Sequence, residues 1–313
     1  MNLEACLPAD LRARSTAITK IAAGLSGAGV YRVEADGEVF VLKITAEDEL
    51  LATWRRKRDI QQFAAAAGLA PRVVHVDESR RAVLSAFVAD QSFMAQYGNP
   101  ATHGAALTLL GRTIRRAHDL PLPLDTDRAD PREHLTRVWS GPGSTIPRPS
   151  FAADAVARAL AEEVPACDRA LVLSHNDVNP SNLVYDGEHL LLLDWDTAGA
   201  NHPWYDLAAI SVFLRMDEGT CQRLLSAYEG SPVETLPPLF AYDRRLVAVL
   251  CGAAFLGVAQ QFGHTGATGS ETLAETLSLR DFYQQLRAGA LSVGTAEGQW
   301  SFGLSLIKES FAM

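Results

Sequence analysis

Ser174-His175-Asn176-Asp177-Val178-Asn179-Pro180-Ser181-Asn182 is a polar run set between apolar segments, and apolar Leu190–Leu193 leads straight into Asp194-Trp195-Asp196. Polar side chains clustered at strand ends are placed for chemistry rather than packing. Leu183-Val184-Tyr185, the turn Asp186-Gly187 and Leu190–Leu193 read as a β-hairpin. Such a hairpin folds Asp194 back beside the loop that carries Asp177 and Asn182. Three acids and one amide then converge. Oxygen ligands of this kind suit Mg²⁺, a hard cation that also takes phosphate oxygens and water. His75, His103, His118, His134, His189, His202 and His264 show no metal-ligand spacing.

The elements that must hold these groups follow from hydrophobic period and turn signals. The first 90 residues read mostly as strand: Ile18–Ile21, Val30–Glu34, then Val39–Ile44 after the hairpin turn Ala35-Asp36-Gly37. A helix is expected from Glu49 to Ala67, stopped by Gly68 at its C′ position. Val73–Val76 and Ala82–Val88 are two more short strands. Beyond residue 99 the period is helical, over Ala105–His118 and Ala152–Val164. Pro131 to Ser150, rich in Gly and Pro, is expected to be irregular. After the Asp177 hairpin the chain is mostly helical again from Pro203, and Leu246 to Ala259 reads as a buried helix. The pattern is α+β: a small β-rich lobe, residues 1–88, precedes a larger helical lobe, residues 89–313, with Ala89–Gln91 as the exit between them.

Composition narrows the function. The chain has 313 residues, 48% hydrophobic and 21% charged, which excludes a disordered, collagenous or coiled-coil chain. Lys+Arg number 28 against Asp+Glu 37, a net charge of -9. Nucleic-acid binding needs a basic face, so it is not expected as the main task. An acidic chain favours a cationic small substrate. Cys6, Cys167, Cys221 and Cys251 are scattered with no C-x-x-C pair, which fits reduced thiols in a cytoplasmic protein. No basic leader with an apolar core opens the chain, and no apolar stretch of about 18 residues reads as a membrane span.

The spacing His-x-Asp-x-x-x-x-Asn followed by Asp-x-Asp resembles the catalytic and metal loops of kinase-like phosphotransferases. The resemblance is closest to the choline/ethanolamine kinase and aminoglycoside phosphotransferase families. His175-Asn176-Asp177 looks like their His-Asn-Asp signature, and Asp194 to Ala208 looks like the choline-kinase extension, including its Ala-Gly-x-Asn and Tyr-Asp-Leu-Ala steps. The resemblance implies a two-lobed protein-kinase-like fold that uses ATP and Mg²⁺. It makes Asp177 the group that accepts or orients the proton of an attacking hydroxyl, with Asn182 and Asp194 as Mg²⁺ ligands. Asp196, where choline kinases more often carry glutamate, would share the second metal. Gly24–Gly29, with Ser26 and Gly27 at its centre, matches the phosphate loop, and Lys43 matches the strand-three lysine that meets the phosphates. Val41, two residues earlier on the same strand face, would pack on adenine, and Ser85–Val88, with Ala86 and Val88, matches the adenine connector. His175 would fix the loop backbone.

Two departures bear on the outcome. In these families the strand-three lysine pairs with a helix acid, but the helix here reads Trp54-Arg55-Arg56-Lys57-Arg58-Asp59. Asp59 is the expected partner, with Glu47 or Glu49 as alternatives. The stretch Cys251–Gly257, which corresponds to the tryptophan-bearing helix of choline kinases, has no tryptophan. The expected activity is ATP- and Mg²⁺-dependent phosphoryl transfer to a small-molecule hydroxyl, with a choline- or ethanolamine-like amino alcohol as first choice. An aminoglycoside or other sugar-like acceptor is the alternative, and a non-catalytic nucleotide-binding protein is a third reading.

Overall fold

Val33, Ala35, Phe40, Leu42 and Ile44 alternate with more polar neighbours along two adjacent segments, so one face of each segment is apolar. These segments are strands in the computed structural model, which describes residues 2–14, 16–21, 29–46, 48–124, 126–141 and 145–313. After a short helix α1 (Ala9–Arg12) come β1 (Thr16–Lys20), β2 (Gly29–Ala35) and β3 (Glu38–Ile44). Asp36 and Gly37, at φ 49° and 86°, form the β2–β3 turn that their sequence predicts. Helix α2 (Leu51–Ala66) follows, and Gly68 stands beyond its end at φ 67°, a left-handed position that favours glycine. Strands β4 (Val73–Asp77) and β5 (Ala82–Ala86) complete an antiparallel sheet ordered β1-β2-β3-β5-β4. One face buries Val33, Ala35, Phe40, Leu42, Ile44, Ala82 and Leu84 against Cys6, Leu7 and Leu11. By alternation the opposite face carries Val41 and Lys43.

Helices α3 (Phe93–Gly98) and α4 (His103–His118) come next, then α5 (Pro131–Ser140) and α6 (Ser150–Ala161). Helix α5 corrects the expectation of an irregular Pro131–Ser150. Asp130 accepts hydrogen bonds from the backbone N–H groups of Arg132 and Glu133, and Pro131 occupies the first turn, where its missing N–H costs nothing. The middle of the chain supplies β6 (Val172–Ser174), the hairpin β7 (Leu183–Tyr185) and β8 (Leu190–Leu192), and β9 (Gly199–Asn201), which pairs with β6. The remainder is helical: α7 (Trp204–Phe213), α8 (Glu218–Glu229), α9 (Pro238–Gln261), α10 (Leu279–Arg287) and α11 (Ala296–Glu309).

By packing, the chain forms two compact units. The first comprises Met1–Asp127, Val172–Ala200 and Ala227–Gly230, so it joins the five-stranded sheet to the Asp177 loop and the β7–β8 hairpin. The second comprises Arg128–Leu171, Asn201–Ser226 and Ser231–Met313, with α7, α9, α10 and α11 around Val212, Val247, Phe282 and Leu306. Within it Gly252 of α9 and Gly303 of α11 let the two backbones approach: a Cβ on Gly252 would lie 2.7 Å from the Gly303 carbonyl oxygen. No helix among the described residues is long and apolar enough to cross a membrane. No disulfide joins the four cysteines; Cys6 and Cys221 are buried and Cys167 and Cys251 half-buried.

Candidate functional site

The β7–β8 hairpin brings the polar loops together. Its register pairs Leu183 with Leu192 and Tyr185 with Leu190. One step further, the Leu193 N–H donates to the Asn182 carbonyl at 2.8 Å, which sets Asn182 beside the start of Asp194-Trp195-Asp196. Two other bonds stitch the loops to each other. His175 Nε2 donates to the Leu193 carbonyl at 2.9 Å, and Thr197 Oγ1 donates to the His175 carbonyl at 3.0 Å. The buried imidazole stands edge-on to Trp195 at 4.8 Å between ring centres.

The backbone is unusual at two points here. Asn176 and Asp194 both take left-handed conformations, at φ 61° and 60°. Asn and Asp tolerate this region better than other side-chain-bearing residues, and its use at two chemistry-bearing loops is a mark of constraint. Gly199 meets a steric demand in the same place, because a Cβ there would lie 3.0 Å from the Asp127 carbonyl oxygen.

Asp177 is half-buried and held at both carboxylate oxygens. Asn182 Nδ2 donates to Oδ2 at 2.8 Å and to the Asp177 carbonyl at 2.9 Å, while Asn179 Nδ2 donates to Oδ1 at 3.0 Å. Burial pushes the carboxyl above its ordinary range, against the opposing pull of His175 and the two amides; the Asp194 charge adds to the rise.

Lys43 reaches these loops from β3. Its Nζ lies 2.6 Å from Asp194 Oδ1 and 2.8 Å from Asp196 Oδ2, with a fifth of the side chain exposed. Burial alone would lower the pKa of this ammonium, but the charges of Asp196 and Asp194 raise it above the usual lysine value. The approach of β3 to Asp194 is supported by backbone bonds from the hairpin to the sheet segment. The Leu192 N–H donates to the Leu69 carbonyl at 2.8 Å, and the Gln91 N–H to the Tyr185 carbonyl at 2.7 Å. The Ala89–Gln91 exit is thus tied to the hairpin.

The structure therefore gathers Lys43, Asp177, Asn182, Asp194 and Asp196. Val41 shares the Lys43 face and pairs with Ser85 on β5, Ala86 ends that strand opposite Phe40, and Val88 lies half-buried just beyond it. Asp59 is not brought to Lys43. Its Oδ1 accepts from Arg58 Nη2 at 2.7 Å, and among the described residues no ion pair joins it to the lysine. Glu49 is paired with Lys57. Glu47, Ser26 and Gly27 lie outside the described residues, as does most of the Gly24–Gly29 loop. Asn179 is the site residue that motif reading passed over. Asn-Pro does signal a capped turn, and Asn179 does cap the short 3-10 helix Pro180–Asn182, but only the folded loop aims its other amide atom at Asp177.

The donor set fits a hard divalent cation. Among the described residues no three His, Cys, Asp or Glu side chains gather around a common point for a metal. The oxygens here come instead from two carboxylates and an amide. Lys43 sets one positive charge between Asp194 and Asp196, which marks their joint demand for a cation. With Asn182 Nδ2 donating to Asp177, the oxygen of that amide is the atom left for a metal.

Residues 17–244 match the model of the phosphotransferase enzyme family. No curated protein matches the chain. Among solved structures, a choline/ethanolamine kinase family protein from Mesorhizobium loti is 19% identical, with a TM-score of 0.57 over 94% of this chain and 92% of that one. The ethanolamine kinase of Plasmodium vivax is 11% identical, with a TM-score of 0.60 over 95% of this chain and 82% of its own. An aminoglycoside-3'-phosphotransferase of type VIII is 20% identical, with a TM-score of 0.56 over 75% of this chain and 93% of its own. At these identities the likeness is one of fold: protein-kinase-like, with a small antiparallel-sheet lobe and a helical lobe.

Proposed function

The chain belongs to the phosphotransferase enzyme family, and from that membership we propose that it moves the γ-phosphate of Mg²⁺-bound ATP to a hydroxyl of a small molecule. The observation that carries this reading is the Lys43 ammonium seated on Asp194 and Asp196. Phosphoryl transfer asks a protein for position and charge neutralisation more than for covalent chemistry.

Each residue then has a task. Asp194 and Asn182 would hold Mg²⁺, with Asp196 sharing a second ion; when bound, the metal neutralises charge on the phosphate oxygens. Lys43 would meet the α/β-phosphates as a point charge. Val41 would pack on the adenine ring, with Ala86 and Val88 in the adenine connector. By the family resemblance, Ser26 and Gly27 would belong to the phosphate loop. Asp177 takes or orients the proton of the acceptor hydroxyl and stays fixed while doing so, because both its oxygens are held. Residues 1–88 form the nucleotide-binding lobe, and residues 89–313 the catalytic and acceptor lobe. Four scattered cysteines without a C-x-x-C pair suit work in a reducing compartment such as the cytoplasm.

For the acceptor, the first choice is an amino alcohol of the choline or ethanolamine type. The Ala-Gly-x-Asn and Tyr-Asp-Leu-Ala steps support it, as do the net charge of -9 and the likeness to choline and ethanolamine kinases. One observation favours a sugar-like or antibiotic acceptor instead. Cys251–Gly257 on α9 has no tryptophan to box a quaternary ammonium, and Gly252 there serves close helix packing. An ADP-release assay over choline, ethanolamine, aminoglycosides and simple sugars tests the proposal. Turnover confined to aminoglycosides or sugars removes the amino alcohol. Binding of Mg·ATP without transfer to any of them favours a nucleotide-binding module.

A further inference from the structure

We infer that Asn179 is a positioning residue for Asp177, holding the carboxylate oxygen that Asn182 does not reach. The inference rests on the reading of Asp177 as the group facing the acceptor hydroxyl. Its basis is the orientation of one amide. Asn179 Oδ1 accepts from the Ser181 backbone N–H at 2.9 Å and from Ser181 Oγ at 2.5 Å. A backbone N–H can only donate, so the amide atom facing Ser181 must be the oxygen. Nδ2 is thereby directed away from Ser181, and it donates to Asp177 Oδ1 at 3.0 Å. The backbone is set as well: Asn179 is extended, at φ -141° and ψ 164°, and Pro180 restricts the next step.

Asn182 holds Oδ2 and the carbonyl of Asp177. With this one amide alone, the carboxylate could pivot about the Oδ2 contact. The second amide, on Oδ1, stops that rotation. Each carboxylate oxygen keeps a lone pair for the incoming hydroxyl, so the clamp orients the group without blocking it. A displacement of about 1 Å at a reacting group is worth roughly 100-fold in rate, which sets the scale of what such a clamp can contribute.

The test is a double-mutant cycle on phosphate transfer from γ-labelled ATP, using whichever of choline, ethanolamine or an aminoglycoside the wild type phosphorylates. Asn179→Ala is expected to lower kcat by about 10- to 100-fold while leaving KM for ATP within about twofold. In an Asp177→Ala background the same substitution should change the residual rate by less than about twofold, because the group it positions is gone. Equal losses in both backgrounds overturn the inference, since Asn179 would then act on the loop independently of Asp177. So does a kcat within about threefold of wild type, or a loss expressed only in KM. Asn179→Asp, which keeps the shape and the Ser181 acceptor but cannot donate, supplies the answer if the alanine variant does not fold. It should lose at least as much kcat, and wild-type activity in it overturns the inference. Full activity in Asp177→Ala alone, or no transfer by the wild type, overturns the underlying assignment and the inference with it.

Discussion

Lys43 and Asp194 are 151 residues apart in the chain, yet Nζ of one lies 2.6 Å from Oδ1 of the other. The same ammonium meets Asp196, so one cation from the third strand answers two acids at the end of a hairpin. Asp59 of α2, the partner that the family resemblance leads one to expect for this lysine, accepts instead from Arg58. The partner role passes to the Asp-x-Asp segment.

Removing the ammonium leaves Asp194 and Asp196 facing each other without a cation. Lys43→Met should therefore destabilise the fold by about 1–2 kcal/mol, a figure reduced for the pair's partial exposure. Added Mg²⁺ should restore much of that loss, and KM for ATP should rise at least about tenfold. Thermal unfolding with and without Mg²⁺ reads the first effect. A variant that melts with the wild type under both conditions would show that the ion pair contributes nothing.

On the proposed assignment, Asp177 acts on the acceptor and not on the nucleotide. Asp177→Ala should cut transfer by about 100- to 10,000-fold, while Mg·ATP affinity stays within about threefold. Calorimetric titration of nucleotide beside the rate measurement separates the two. A parallel collapse of ATP binding would place Asp177 among the nucleotide ligands.

Asp243, on α9, is buried, with His202 Nε2 3.4 Å from its Oδ2. Burial pushes this carboxyl up to about 8 from an ordinary 3.8. The unfolded chain releases the proton near the lower value and the native protein keeps it to the higher one. Stability is thus full below the lower pKa and falls as pH rises towards about 8, at no more than about 1.4 kcal/mol per pH unit. Asp243→Asn keeps the shape and removes the titration. Its melting temperature should gain on the wild type between about pH 5 and pH 8, where this slope acts. Melting curves that stay parallel across that range would count against it.

Gly252→Val should destabilise by at least about 1–3 kcal/mol, through overpacking between α9 and α11. A Cβ at this position would stand 2.6 Å from Ile307 Cγ1 and 2.7 Å from a backbone oxygen that cannot rotate away. Denaturant unfolding measures the loss, and an unchanged midpoint would mean that the helices separate at little cost.

Much of this site can be read along the chain because its contacts are local. Leu183–Tyr185 and Leu190–Leu192 pair across a short turn, and that register dictates that Asn182 and Asp194 become neighbours. The same holds for Asp36-Gly37 between β2 and β3, and for Gly68 after α2, where backbone conformation follows residue type. Helix α5 has a start signal in Asp130 and Pro131, but it lies among glycines and prolines that by residue type favour irregular chain. The partner of Lys43 has no such local signal. A lysine on a strand can meet any acid within reach, and the choice between Asp59 and Asp194 depends on how the hairpin docks on the sheet through Leu69 and Gln91. The orientation of the Asn179 amide is likewise a property of the folded loop: the sequence names the residue, but which end of the amide faces Asp177 follows only once Ser181 has claimed the oxygen. Local pairing energies depend on neighbours in sequence, whereas charge pairing and amide orientation depend on which groups packing leaves within about 3 Å of each other.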